Sequence, residues 1–245
     1  MSEQTTRLSR VRTIIAQRMH DSLMSTAQLT SVVEVDVTEI MAARRMTGAD
    51  FKAAHGISLS PFAVFARAAV LALAKHPVLN SGIDVDAGTM THHPEINLGV
   101  AVDTEAGLLV PNLKSAERLD VVGLARGIAD LAAKSRGRGL KPSDLEGGTF
   151  TLTNTGSRGS LLDTPILNHP EVGILATGAV QRRPVAIGEV GSETVEVRDC
   201  AYLCLTYDHR LADGADAARF LGTVKEILES GALLSELEVT AGAVG

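Results

Sequence analysis

Residues 195–207, VEVRDCAYLCLTY, constrain the fold more than any other stretch. At the two-residue period of a strand, Cys200, Tyr202 and Cys204 point one way and Ala201, Leu203 and Leu205 the other. A strand apolar on both faces belongs in the middle of a sheet, so the chain has to supply neighbours for it. Residues 29–37 (LTSVVEVDV) alternate and read as one such strand. Further strands are expected over 83–90, 95–102, 108–113, 149–154, 171–180 and 185–187.

Helices fill the spaces between. Residues 9–26 (SRVRTIIAQRMHDSLMST) carry Val11, Ile14, Ile15, Ser22 and Leu23 on one stripe. Arg18 falls on that stripe, either at its edge with the guanidinium reaching water or paired inside a site. A second helix is expected over 38–54. Ser60-Pro61 is a cap followed by proline at the first helical position. The helix that follows, FAVFARAAVLALAKH, is apolar almost all round and so must be buried, and Pro77 ends it. Amphipathic helices are expected over 119–134 and over 214–228, the last with Ala217, Phe220, Leu221, Val224 and Leu228 as its stripe.

With 245 residues, 45% hydrophobic, 3% aromatic and no Trp, the core must be aliphatic. One α/β domain over residues 1–245 is the simplest organisation, with loose tails at 1–8 and about 236–245. A net charge of −6 without basic runs argues against nucleic acid. The two cysteines, Cys200 and Cys204, make neither a disulfide framework nor a zinc site and read as small buried hydrophobes of a reduced protein. The opening MSEQTTRLSRVR is polar and no secretory leader. The longest apolar stretch, 61–74, contains Arg67 and is too short to span a bilayer. A cytoplasmic protein without membrane contact is expected. None of the seven histidines pairs with another at helical i, i+4 spacing, and there is no phosphate loop or GxGxxG, so neither metal nor nucleotide chemistry is expected.

The segment LTYDHRLADGADAARF carries the chemistry. A buried strand ends at Tyr207 and a helix starts near Gly214, leaving Asp208, His209, Arg210 and Asp213 on a short loop held by rigid elements. His209 is a group that takes a proton near neutral pH. Asp213 can orient it, pair with an arginine, or simply cap the helix.

This segment resembles the DHRxxDG motif of the dihydrolipoyl acyltransferases, the core components of 2-oxoacid dehydrogenase complexes such as pyruvate dehydrogenase. The resemblance extends through SRVRTIIAQRM, INLGVAVDTEAGLLVPNL, GGTFTLTNTG and DTPILNHPEVGILATG, in family order. It implies a chloramphenicol acetyltransferase-like two-layer fold, a mixed β-sheet with helices packed on it, and an active site at a trimer interface. It also implies transfer of an acetyl or succinyl group between a dihydrolipoyl thiol and coenzyme A. His209 would be the general base, Thr153 would stabilise the tetrahedral oxyanion by its hydroxyl, and Asp213 would hold structure and site charge. Arg18 is a candidate partner for Asp213, and Asp208 and Arg210 would shape the loop. The residues that touch coenzyme A are not assigned.

The implied partners are further copies in a homotrimer or a larger assembly of trimers, a lipoyl group carried on another domain or chain, and the 2-oxoacid decarboxylase and dihydrolipoyl dehydrogenase components. Family members carry lipoyl and subunit-binding domains ahead of the core, and the lipoyl group is expected to reach this core from elsewhere. Its end, ESGALLSELEVTAGAVG, is longer than the family's short apolar anchor. Two other readings stand beside this one: a non-catalytic oligomeric scaffold, and an acetyltransferase for another small acceptor.

Overall fold

The structure is a computed structural model that describes residues 4–105, 107–137 and 139–237. The first helix, α1 (Arg10–Ser25), begins where the Ser9 side chain accepts a hydrogen bond from the Arg12 amide. Strand β1 (Gln28–Asp36) follows, then α2 (Thr38–His55), closed by Gly56 in the left-handed conformation at φ 73°. Helix α3 (Pro61–Lys75) starts at the expected Ser60 cap and is buried on nearly every face from Phe62 to Leu73.

The expected strand over 83–90 is instead a hairpin, β2 (Ser81–Asp84) and β3 (Thr89–His92). Asp84 accepts the Ala87 amide and Gly88 takes φ 63°, so the DVDAG run turns the chain rather than extending it. The strands expected over 95–102 and 108–113 are also subdivided, into β4 (Leu98–Val100), β5 (Val102–Thr104), β6 (Gly107–Leu109) and β7 (Asn112–Leu113). Pro111 lacks an amide hydrogen and separates β6 from β7, while its carbonyl accepts from Val100.

Helix α4 (Val121–Arg136) is capped by Asp120. Then come β8 (Phe150–Asn154), β9 (Gly173–Thr177), β10 (Gln181–Ile187), β11 (Thr194–Asp208) and α5 (Gly214–Glu229). The main sheet runs β1-β11-β9-β8-β4-β7, with β10 also paired to β11. It is mixed: β8 runs parallel to both β4 and β9, whereas β11 is antiparallel to β1 and β9. The doubly apolar strand is therefore central, as its sequence requires. Helix α5 packs on β1 and α3, and α3 on α4. Its stripe of Ala217, Phe220, Leu221, Val224 and Leu228 is buried in the same core as Leu203, Leu205 and Tyr207 of β11. Both cysteines are buried and free.

Two expectations are corrected. The apolar stripe of α1 is not covered within the chain: Val11, Ile14 and Leu23 are exposed, and Ser22 is the buried residue of the helix, its hydroxyl donating to the Leu167 carbonyl. Residues 236 and 237, placed in the loose tail expected from about 236, are packed against the rest of the chain. Glu236 accepts from the Val121 amide at the start of α4 and pairs with Arg67, and Leu237 is buried. Residues 1–3 and 238–245, where the rest of the two tails was placed, lie outside the described residues.

Candidate active site

His209 follows directly on β11 and is exposed, although residues 203–208 of the strand that delivers it are buried. Three contacts fix its backbone. Its own amide donates to the Ala27 carbonyl at 2.8 Å, on the link between α1 and β1. Before it, the Asp208 amide donates to the Val172 carbonyl at 3.0 Å. After it, α5 begins under a reciprocal cap: Asp213 accepts from the amides of Ala215 and Asp216, and Asp216 accepts from the Asp213 amide. The imidazole lies against the ring of Tyr207, with centroids 5.7 Å apart. A titratable ring is thus held on a short, rigid turn with solvent on its free side.

Asp208 and Arg210 lock this turn from beneath. The Asp208 carboxylate is 2% exposed and receives both Arg210 Nε and Nη2, the latter at 2.6 Å, together with the amides of Arg210 and Ala27. Burial works to raise the carboxyl pKa, but the Arg210 guanidinium and the two amides outweigh it and hold the group below its ordinary value. Asp208 therefore stays ionised and holds the loop. The same arginine covers it, as the loop-shaping role expected for this pair requires.

Asp213 is engaged as the helix cap. Of the possibilities open in the sequence, capping is the one the geometry realises. Arg18 is exposed on α1, and among the described residues no ion pair joins it to Asp213.

Thr153 is half-buried near the end of β8. The sheet register fixes its relation to His209. Thr153 is level with Ala176 of β9, and Ala176 is level with Cys204 of β11. His209 lies five residues farther along β11, which at ~3.3 Å per residue is about 16 Å down the strand, and two strand spacings of ~4.8 Å separate them sideways. A base and an oxyanion donor must each stand about 3 Å from neighbouring atoms of one reacting centre. The His209 and Thr153 of a single chain cannot do so.

One polar group in this region escaped the sequence reading. Glu171 is 5% exposed and receives the Thr151 hydroxyl and the Asn168 amide. Burial raises its carboxyl to about 7, against the lowering effect of those two hydrogen bonds. Nothing in a run read as an ordinary strand separates a buried glutamate from an exposed one. Among the described residues no cluster of three or more His, Cys, Asp or Glu could hold a metal ion, and no helix is long and apolar enough to cross a membrane.

Residues 1–235 match the family of 2-oxoacid dehydrogenases acyltransferase (catalytic domain). The chain is 48% identical over 234 residues to the dihydrolipoyllysine-residue acetyltransferase component of the pyruvate dehydrogenase complex of Mycobacterium bovis, covering 95% of this chain and 42% of the relative. It is 41% identical to the succinyltransferase component of the 2-oxoglutarate dehydrogenase complex of Bacillus subtilis, covering 91% of this chain and 52% of the relative. The chain thus spans about half the length of these relatives or less.

Among solved structures, the cubic core of a pyruvate dehydrogenase multienzyme complex superposes with a TM-score of 0.89 at 31% identity, covering 95% of this chain and 94% of that one. A structure of Azotobacter vinelandii dihydrolipoamide acetyltransferase, determined to investigate a serine, a histidine and an asparagine in its catalytic mechanism, gives 0.88 at 29% identity, covering 95% and 94%. Chloramphenicol acetyltransferase shares the fold, with a TM-score of 0.54 at 16% identity, covering 91% of this chain and 100% of that one.

Proposed function

The chain belongs to the catalytic-domain family of the 2-oxoacid dehydrogenase acyltransferases, and on that premise we propose that it transfers an acetyl or succinyl group between a dihydrolipoyl thiol and coenzyme A. The observation that carries this reading is the exposed imidazole of His209 on a turn fixed by Ala27, Asp208, Arg210 and the α5 cap.

The chemistry follows from that group. A thiol of ordinary pKa ~8.5 is only a few per cent thiolate at pH 7, so a base beside it raises the reactive fraction at the moment of attack. His209 takes the proton of the incoming thiol. The sulfur forms a bond to the thioester carbonyl carbon, whose π electrons move onto oxygen. The hydroxyl of Thr153 donates to that oxyanion. When the oxyanion re-forms the carbonyl, the other carbon–sulfur bond breaks and the departing thiolate takes the proton back from His209. No acyl-enzyme is needed, because the acceptor thiol belongs to the second substrate.

Because the register separates Thr153 from His209 within a chain, the working site takes His209 from one copy and Thr153 from its neighbour. Leu8, Val11, Ile14, Leu23 and Met24 are exposed on and before α1, with Leu29 and Val32 on the strand that follows. Exposed apolar side chains on both of these elements suit packing against another chain, and Ala27, whose carbonyl holds His209, lies on the link between them. A second copy packed against this part of the chain is the expected source of the Thr153 that meets the histidine. A homotrimer, alone or in a larger assembly, is the expected arrangement. The lipoyl group would come from another domain or chain, and a 2-oxoacid decarboxylase and a dihydrolipoyl dehydrogenase would be the partner enzymes in the cytoplasm.

The test is to supply free dihydrolipoamide with acetyl-coenzyme A or succinyl-coenzyme A and to follow S-acyl-dihydrolipoamide. Turnover with one donor, reduced at least ~10²-fold in His209→Ala, supports the reaction and identifies the acyl group. A folded assembly that turns over neither donor contradicts it.

A further inference from the structure

Glu171 sits between the strand that bears Thr153 and the turn that bears His209. Its backbone neighbour Val172 accepts the Asp208 amide, one residue before His209. Its carboxyl accepts the hydroxyl of Thr151, two residues before Thr153 on β8, and the side-chain amide of Asn168 at 2.7 Å. One side chain therefore joins the strand bearing Thr153 to the segment holding the end of β11.

The surroundings of this carboxyl suit a neutral acid better than an anion. Thr151 from β8, Asn168 from its own loop and Asn112 from β7 are the polar groups that face it, and none is charged. His169, two residues earlier, is exposed. Lys114 has its ammonium turned to the Glu146 carbonyl on the outer side of the neighbouring turn. Among the described residues no cation acts on the carboxyl.

Asn112 supplies the second observation. Its Oδ1 is buried with no hydrogen-bond partner, while its Nδ2 donates to the Glu146 carbonyl. A Cβ added at Gly148 would press into Asn112 Oδ1 and Glu171 Oε1 at once, so the two oxygens border the same small space. Two acceptors brought together in a dry interior repel unless one of them carries a proton.

We propose that Glu171 is protonated in the folded protein and donates to Asn112 Oδ1, forming a neutral clasp between β7, β8 and the loop before β9 that makes it a positioning residue for the site. Thr151 and Asn168 then donate to the acid's acceptor sites, and the otherwise unpartnered Asn112 oxygen is satisfied. When the proton leaves, a buried charge faces an amide oxygen, and the link between the Thr153 strand and the His209 turn loosens. The positioning role rests on the transferase reading, whereas the protonation does not.

The sign follows from linkage. A carboxyl raised from 4.5 in the unfolded chain to about 7 in the fold binds more protons when folded, so its contribution to stability is complete below about 4.5 and is lost as pH rises through about 7. The experiment compares the whole protein with Glu171→Gln, whose amide nitrogen takes the place of Oε1 and donates to Asn112 while its oxygen accepts from Thr151 at every pH; Asn168, which met Oε1, turns its own amide oxygen toward that nitrogen. The melting-temperature gap between Glu171→Gln and the parent should widen from pH 5 to about pH 7 and level off above it. Parallel profiles would overturn the protonated state.

Infrared spectra of the unsubstituted protein need no variant. A protonated-carboxyl stretch present at pH 6 and absent at pH 8.5 is expected, and its absence at pH 6 would overturn the proposal. For positioning, the ratio of kcat in Glu171→Gln to kcat in the parent should rise with pH across 6–8 with KM little changed. A constant ratio alongside a widening stability gap would leave the protonation standing and overturn the positioning role.

Discussion

Thr153 and His209 are held far apart along the main sheet by its register. The threonine is level with Cys204, and the histidine, the first residue after β11, is five residues beyond Cys204. The separation is built into backbone pairing, so no side-chain rotation closes it. On the proposed reaction, each chain would carry half of two different sites.

Thr153→Val keeps the β-branched shape and removes only the hydroxyl. It should lower kcat by ~10²–10³ with little change in melting temperature. Thr153→Ser should retain most of the turnover. Steady-state kinetics on the two variants would check this, and equal activity in Thr153→Val would remove the threonine from the chemistry.

Asp213 should behave as a cap first. Asp213→Ala, leaving the amides of Ala215 and Asp216 without their acceptor, should cost about 1 kcal/mol of stability. Asp213→Asn should preserve the cap and keep turnover within ~10-fold of the parent. Chemical denaturation together with initial rates separates the two. A large loss of kcat in a fully stable Asp213→Asn would give the carboxylate a direct role in the chemistry.

The Asp208–Arg210 pair predicts a pH dependence opposite in sign to that of Glu171. The Asp208 carboxyl is held below its ordinary 3.8, so its contribution is present above that value and lost as pH falls through the lower folded value. Asp208→Asn should be less stable than the parent at pH 7, by roughly 1–3 kcal/mol, and the difference should shrink below about pH 4. Melting curves between pH 3 and 7 measure it.

Ile14 is half exposed on α1 in the isolated chain. If a neighbouring copy covers this face, Ile14→Asp should yield a smaller species by light scattering, folded by circular dichroism and without transferase activity. An unchanged assembly would place the contact elsewhere.

Much of this was legible in the sequence for physical reasons. The doubly apolar run at 200–205 had to be central, and Ser60-Pro61 had to start a helix. The α5 stripe from Ala217 to Leu228 had to be buried, and it is. The hairpin at 81–92 was missed because apolar alternation outweighed the turn signal of Asp84 and Gly88. The stripe on α1 was read correctly as apolar, but a stripe does not say whether its cover comes from the same chain. The candidate site was proposed from the motif around His209 and from the family resemblance. The sequence could show neither the distance between Thr153 and His209, which depends on the pairing of three strands, nor the environment of Glu171, which depends on Asn112 some sixty positions away.

Mixing two inactive variants tests the shared site most directly. Thr153→Val and His209→Ala are each purified, dissociated, combined in equal amounts and reassembled. If His209 of one copy works with Thr153 of the next, about a quarter of the reassembled sites carry both intact residues, and activity should return to about that fraction of the parent. Mixed assemblies that form, as seen by mass spectrometry, yet remain as inactive as their components would contradict a site divided between neighbouring chains.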